Sequence, residues 1–153
     1  VSMPAGLAWD LAGRGAARFS GREPFADSYH YDALGPDFAE LTAIAEDRVA
    51  RATGLVSTAG PARARVVDRP AWIAANLASF QRLLRPLTDK LGERMGTSPL
   101  APVTQKIAGA EVGALLGWMS TRVLGQYDLL VVEDEDLENQ DIVYYVGPNV
   151  LAL

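Results

Sequence analysis

Few residues in this sequence have the chemistry to catalyse, and their spacing narrows the options further. Histidine occurs once, at His30, and cysteine does not occur. A lone imidazole cannot supply a multi-histidine zinc site, and without thiolates there is neither a zinc–cysteine centre nor a cysteine nucleophile. His30 could serve as a general base, yet it stands between Tyr29 and Tyr31 with no supporting motif nearby. An incidental surface or packing histidine is the better reading. These residues alone complete neither a metalloenzyme nor a Ser/Cys hydrolase.

The carboxylates offer more. Glu133, Asp134, Glu135, Asp136, Glu138 and Asp141 form an acidic run. It lacks the Asp-x-Asp-x-Asp-Gly spacing with a closing Glu that wraps calcium, so a solvated, mobile loop is expected. Glu111 lies between Gly109 and Gly113 in an apolar segment, with Arg122 three helical turns further on. Buried there, its carboxylate would need a cation or a raised pKa; alternatively it reaches a polar partner on another helix. Asp128 closes Gly125-Gln126-Tyr127-Asp128 at a sharp turn after a helix. It is either aimed at a neighbouring site or caps the next element. The Gly-x-Gly at Gly13 and Gly15 is no dinucleotide fingerprint, because no strand precedes it and the third glycine is missing.

The elements that must position these groups are mostly helical. Residues 7–19 read as a short helix loosened by Gly13 and Gly15. Residues 20–35 have the composition of a loop. A second helix should start near Pro36-Asp37, with Phe38, Leu41, Ile44, Val49 and Ala52 inward and Gly54 as its C-terminal stop. Residues 54–66 read as a connecting loop. Asp68-Arg69-Pro70 opens a third helix whose stripe of Ile73, Leu77, Phe80, Leu84, Leu87 and Leu91 is expected to be core, with a kink or break at Pro86.

The fourth helix, about Val103–Leu124, is the unusual one. Gly109, Gly113 and Gly117 recur every four residues, so they share one side. Each costs about 1 kcal/mol relative to alanine inside a helix. Close passage of another backbone is the expected compensation. Ile107, Leu115, Trp118 and Val123 make the other flank apolar, which implies a central helix. Leu129–Val132 and Ile142–Val146 are strand-prone, Gly147-Pro148-Asn149 is a turn, and Val150–Leu153 begins another apolar element. Ending there without a polar close, the chain reads as cut short.

The totals exclude several roles. The 153 residues suit one domain, and 49% hydrophobic residues suffice for a core. A net charge of −5 gives no footprint for nucleic acid or for an anionic membrane surface. Lys106, Glu111 and Arg122 interrupt the most apolar stretch, so no membrane span is expected. The start, Val1-Ser2-Met3-Pro4, is not that of a signal peptide, and the lack of cysteine makes a cytoplasmic location the expectation.

Three blocks carry a resemblance. They are Val67-Asp-Arg-Pro-Ala-Trp-Ile-Ala-Ala-Asn76, the run from Gly109 through Gly113 and Gly117 to Leu-Gly-Gln-Tyr-Asp128, and Val146-Gly-Pro-Asn-Val150. In this order they resemble the actinobacterial zincin-like metallopeptidase family, one branch of which is associated with biosynthesis of a deazaflavin coenzyme (F420). The resemblance covers most of residues 8–153. Family members run on for about as long again and carry a His-Glu-x-x-His helix beyond the position of Leu153. That helix supplies two zinc ligands and the general base. The motif is not among these 153 residues, so no metal ligand or catalytic base carries over.

The expected fold is therefore mainly α, a helical domain with a small β element near the C-terminus, becoming α+β if a C-terminal part completes it. The expected function is the N-terminal portion of a zinc-dependent metallopeptidase, a hydrolase, inactive alone. Its partner would be the missing C-terminal part of the same protein, with homo-oligomerisation an option. No cofactor is expected in this chain, and zinc is implied for the parent. Gln126, Tyr127, Asp128 and Glu111 are the residues expected to support a site, and Gly109, Gly113 and Gly117 to pack closely. The alternatives are a helical interaction module without catalysis, or a protein linked to the coenzyme pathway.

Overall fold

A computed structural model describes residues 8–21, 31–57, 60–95, 101–128 and 141–153. The fold is mainly α with a small three-stranded sheet. The chain divides into two compact units, residues 1–22 with 69–122, and residues 23–68 with 123–153. His30, the strand-prone run 129–132 and acidic residues 133–140 lie outside the described residues.

The first unit holds α1 (Trp9–Phe19), α3 (Arg69–Met95) and α4 (Ala101–Ser120). Its centre is a seam of small residues. Gly109, Gly113 and Gly117 of α4 face Ala8, just before α1, and Ala12 and Ala16 of α1, four apart on both sides. A methyl group at Gly109 would sit 2.6 Å from the Ala8 carbonyl oxygen, and one at Gly117 would sit 2.6 Å from that of Ala16. At Gly113 it would lie 2.9 Å from Ala12 Cα and collide with the Ala12 carbonyl. The helix backbones meet directly, and Ala12 and Ala16 are wholly buried. Ala8 N donates to Gln105 O (3.2 Å) where the seam begins.

Trp9, Trp72, Ile73 and Leu116 make up the larger buried side chains of this unit. Both indole nitrogens, of Trp9 and Trp72, are buried without an acceptor, a cost of about 1–3 kcal/mol each that the packing must offset. Arg69, also buried, donates through Nη1 to Ser20 O (3.1 Å).

Two expectations about these helices change. Of the expected α3 core stripe, Ile73 is buried, Leu77 and Leu84 are half-buried and Phe80 is 38% exposed, while the side chains of Leu87 and Leu91 lie outside the described ones. One helical element continues through Pro86, so the proline does not break it. The apolar flank of α4 does not make it central, since Ile107, Leu115 and Trp118 are exposed and Val123 is only half-buried. The buried side is the glycine line with Leu116 and Ser120. The reason is geometric: only a face without side chains admits another backbone, and that face lies opposite the bulky residues.

The second unit holds α2 (Tyr31–Thr53), β1 (Arg63–Val67), β2 (Gly125–Asp128), β3 (Ile142–Val146) and the single turn α5 (Gly147–Val150). The strands lie in the order β1-β3-β2, with β1 parallel and β2 antiparallel to β3. Ile142, Tyr144 and Val146 are buried, and Val143 and Tyr145 turn to the other face, where α2 packs. Residues 54–66 are thus not all loop: β1 occupies the last part, held by its register with β3. Helix α2 begins five residues earlier than Pro36, which sits inside it with a φ already suited to a helix. Gly54, at φ +73°, ends α2 by donating to Ala50 O (2.8 Å).

Of the expected inward row on α2, Leu41, Ile44 and Val49 are exposed. The covered row is Phe38, Thr42, Glu46 and Ala50, four apart. Its polar members find partners, which is why they can turn inward. Thr42 Oγ1 shares a hydrogen bond with the Tyr145 hydroxyl (2.8 Å), and Phe38 packs on the Tyr145 ring with centroids 4.7 Å apart.

Candidate functional site

A concavity among the described residues lies between α2, residues 55–57 and 60–61, and the α2-facing side of the sheet. Its volume is about 640 Å³, within the ordinary range for ligand pockets. Ala45, Val49 and Ala50 of α2 form one wall, Leu55, Val56 and Pro61 another, and Val143, Tyr145 and Tyr127 belong to the sheet. Strand alternation explains the last three. Tyr127 pairs with Val143 across the β2–β3 ladder, and Tyr145 lies two residues along the same face.

One end of this groove is polar. Tyr127 donates its hydroxyl hydrogen to Asp141 Oδ2 (3.1 Å), and Ser57 Oγ donates to the same oxygen (3.0 Å). The Glu46 carboxylate accepts from Ala62 N at 3.1 and 3.2 Å, one distance to each oxygen. The Tyr127 pKa is pushed up to about 12, first by desolvation, then by its hydrogen bond to Asp141 and the Asp141 charge, and last by Glu46. Although 43% of the residue is exposed, the phenol keeps its proton far above neutral pH and acts as a donor between two carboxylates.

The residues singled out from sequence belong to different units. Gln126, Tyr127 and Asp128 are consecutive on β2, paired with Tyr144, Val143 and Ile142 respectively. Successive strand residues face opposite sides, so Gln126 and Tyr127 cannot both look into the groove. Glu111 belongs to the other unit and is exposed on α4, so it is no buried carboxylate needing a hidden cation. It lies two residues beyond Gly109, on the side of α4 away from the seam. Arg122 stacks over the Trp118 ring, 4.3 Å from its centroid.

Glu46, Ser57 and Thr42 escaped the sequence reading, and Asp141 was placed in a solvated run. A signal existed for two of them: Thr42 and Glu46 stand four apart on α2, in one row with the apolar Phe38 and Ala50. Ser57 and Asp141 meet Tyr127 only through the fold, 84 residues separating the two in sequence.

The zinc implied by the sequence resemblance can be tested only against the described residues. Among the described residues, no group of three His, Cys, Asp or Glu side chains could hold a metal ion. Glu46 and Asp141 are two carboxylates already bonded to Ala62, Ser57 and Tyr127. No helix among the described residues is long and apolar enough to cross a membrane.

Comparison with known proteins gives the setting. A crystal structure from Chloroflexus aurantiacus, provisionally described as a hydrolase with a novel fold, is similar to this chain at 29% identity with a TM-score of 0.62. The similarity covers 95% of this chain and 44% of that one, so the chain spans less than half the length of this relative. No curated protein matches the sequence. Residues 7–153 match the description "zincin-like metallopeptidase", and the chain belongs to that family.

Proposed function

We propose that this chain is the scaffold-forming, non-ligating portion of a zinc-dependent zincin-like hydrolase. On this reading the metal ligands and the general base come from a His-Glu-x-x-His helix outside these 153 residues. The observation that carries the reading is a contrast: the family match spans residues 7–153, yet the chain contains a single histidine. That the solved relative is more than twice as long supports it.

Within this reading, Gln126, Tyr127 and Asp128 are positioning residues on the edge strand β2, and the missing C-terminal part is the chain's principal partner. Tyr127 has the best support, because Asp141 fixes its hydroxyl in a defined direction. The test is hydrolysis of a quenched fluorescent peptide mixture by the 153-residue chain, with and without added zinc, beside a longer protein that includes the His-Glu-x-x-His segment. The expected result is metal-dependent turnover by the longer protein alone. Turnover by the 153-residue chain that a chelator abolishes would overturn the proposal.

A second reading, an interaction module without catalysis, draws on the exposed flank of α4 formed by Val103, Ile107, Leu115 and Trp118. It gains ground if the longer protein also binds no zinc and turns over no peptide.

A further inference from the structure

We propose that the groove beside α2 is a ligand site in its own right, taking an elongated apolar molecule with a cationic head group. The proposal goes beyond the metal-dependent reading, because every residue it uses belongs to this chain and to one compact unit.

Three observations lead to it. First, the lining and the volume of about 640 Å³ suit an apolar body. The walls are alanine, valine, leucine and proline, and Leu55 and Val56 at the groove are 73% and 78% exposed. Apolar side chains displayed in this way around a concavity are what a ligand would cover. Second, the charge of the lining has one sign. Glu46 and Asp47 line the groove, and no lysine, arginine or histidine does so among the described residues. Arg51, one turn along α2, is committed to Asp47.

Third, acceptors are in excess at the polar end: Glu46 lines the groove, and Asp141, outside the lining, is bonded to the lining residues Ser57 and Tyr127. Each ionised carboxylate offers about four lone-pair positions. Glu46 and Asp141 receive hydrogens from Ala62 N, Ser57 and Tyr127. Tyr127 and Ser57 have one hydroxyl hydrogen each, already directed at Asp141. The polar end therefore favours a ligand that brings donors or positive charge and disfavours an anion. Thr42 and Tyr145 satisfy each other across the lining, so they hold the wall without competing for the ligand.

The probes are octyltrimethylammonium and octyl sulfate, equal in tail and opposite in head charge, each titrated below its micelle concentration into the 153-residue chain. Backbone amide chemical shifts report both affinity and place. The ammonium probe is expected to shift residues of α2 between 42 and 50 with Leu55, Val56 and Tyr127. It should bind about tenfold more tightly than octyl sulfate, the scale of one partly exposed attraction gained and one repulsion avoided. Glu46→Gln keeps an acceptor for Ala62 N and should cut the preference about fivefold. Ala50→Trp fills the groove and should abolish binding of the ammonium probe. If Ala50→Trp fails to fold, Val49→Lys, on the exposed side of the same wall, is expected to weaken the ammonium probe and spare the sulfate.

Equal affinity for the two probes overturns the proposal, and so do shifts confined to residues outside the groove. Absence of binding overturns it too, including the case in which sedimentation shows a second copy of the chain occupying the face.

Discussion

The two units of this chain are built on opposite principles. In the first, α1 meets α4 through glycine and alanine, backbone against backbone, with no room for a side chain at Gly109, Gly113 or Gly117. In the second, α2 lies on the sheet through Thr42, Glu46 and a tyrosine pair, and leaves a groove of about 640 Å³. Tight backbone packing gives rigidity and excludes chemistry. A polar, incompletely filled contact gives up packing density and keeps donors, acceptors and space. In this chain, scaffold and candidate site are therefore separate pieces of construction.

The sharpest way to break that contrast is to put side chains into the seam. Gly113→Leu should destabilise by about 3 kcal/mol or more, read as a fall in thermal midpoint, since the backbone of α1 cannot give way like a side chain. A normal melting curve would mean that the seam is open. The smaller change Gly109→Ala reverses an ordinary sign. Alanine should gain about 1 kcal/mol inside a helix, yet here its methyl meets the Ala8 carbonyl, so a net loss of about 1 kcal/mol or more is expected. Gly15→Ala is the control: its methyl would meet Gly113 Cα at 3.7 Å, an ordinary contact, and should stabilise by about 0.5–1 kcal/mol.

On the other side of the comparison the effects are milder. Glu46→Ala leaves Ala62 N without its acceptor and should cost about 1 kcal/mol by denaturant unfolding. Tyr127 gives a pH signature. Its folded-state pKa of about 12 lies above the usual 10.0, so the fold favours the protonated phenol. The resulting stability is fully present below pH 10 and is lost as the pH rises through about 12. Tyrosinate absorbance should show a late step among the five tyrosines, and Tyr127→Phe should remove it.

The sequence made some of this legible and hid the rest for definable reasons. Helix positions followed from apolar spacing, and the glycine period on α4 pointed to a close approach without naming α1 as its partner. The strand β3 showed in Ile-Val-Tyr-Tyr-Val, a β-prone run by composition alone. By contrast, Arg63-Ala-Arg-Val-Val67 looks polar, and it becomes a strand only because β3 pairs with it from far along the chain. Gly125–Asp128 has no β-branched residue, and the same central strand recruits it. Glu111 was misjudged because the apolar flank of α4 was taken as the buried one. Tyr127 was named for its place after the helix, but its meaning comes from Glu46 and Asp141, whose proximity no local pattern reveals.

The central proposal, that the metal ligands of this zincin-like protein lie outside these 153 residues, is open to direct measurement. Zinc titration by calorimetry at neutral pH, with metal analysis after dialysis, is expected to find no stoichiometric site on the 153-residue chain. One zinc per chain that survives dialysis would contradict the account.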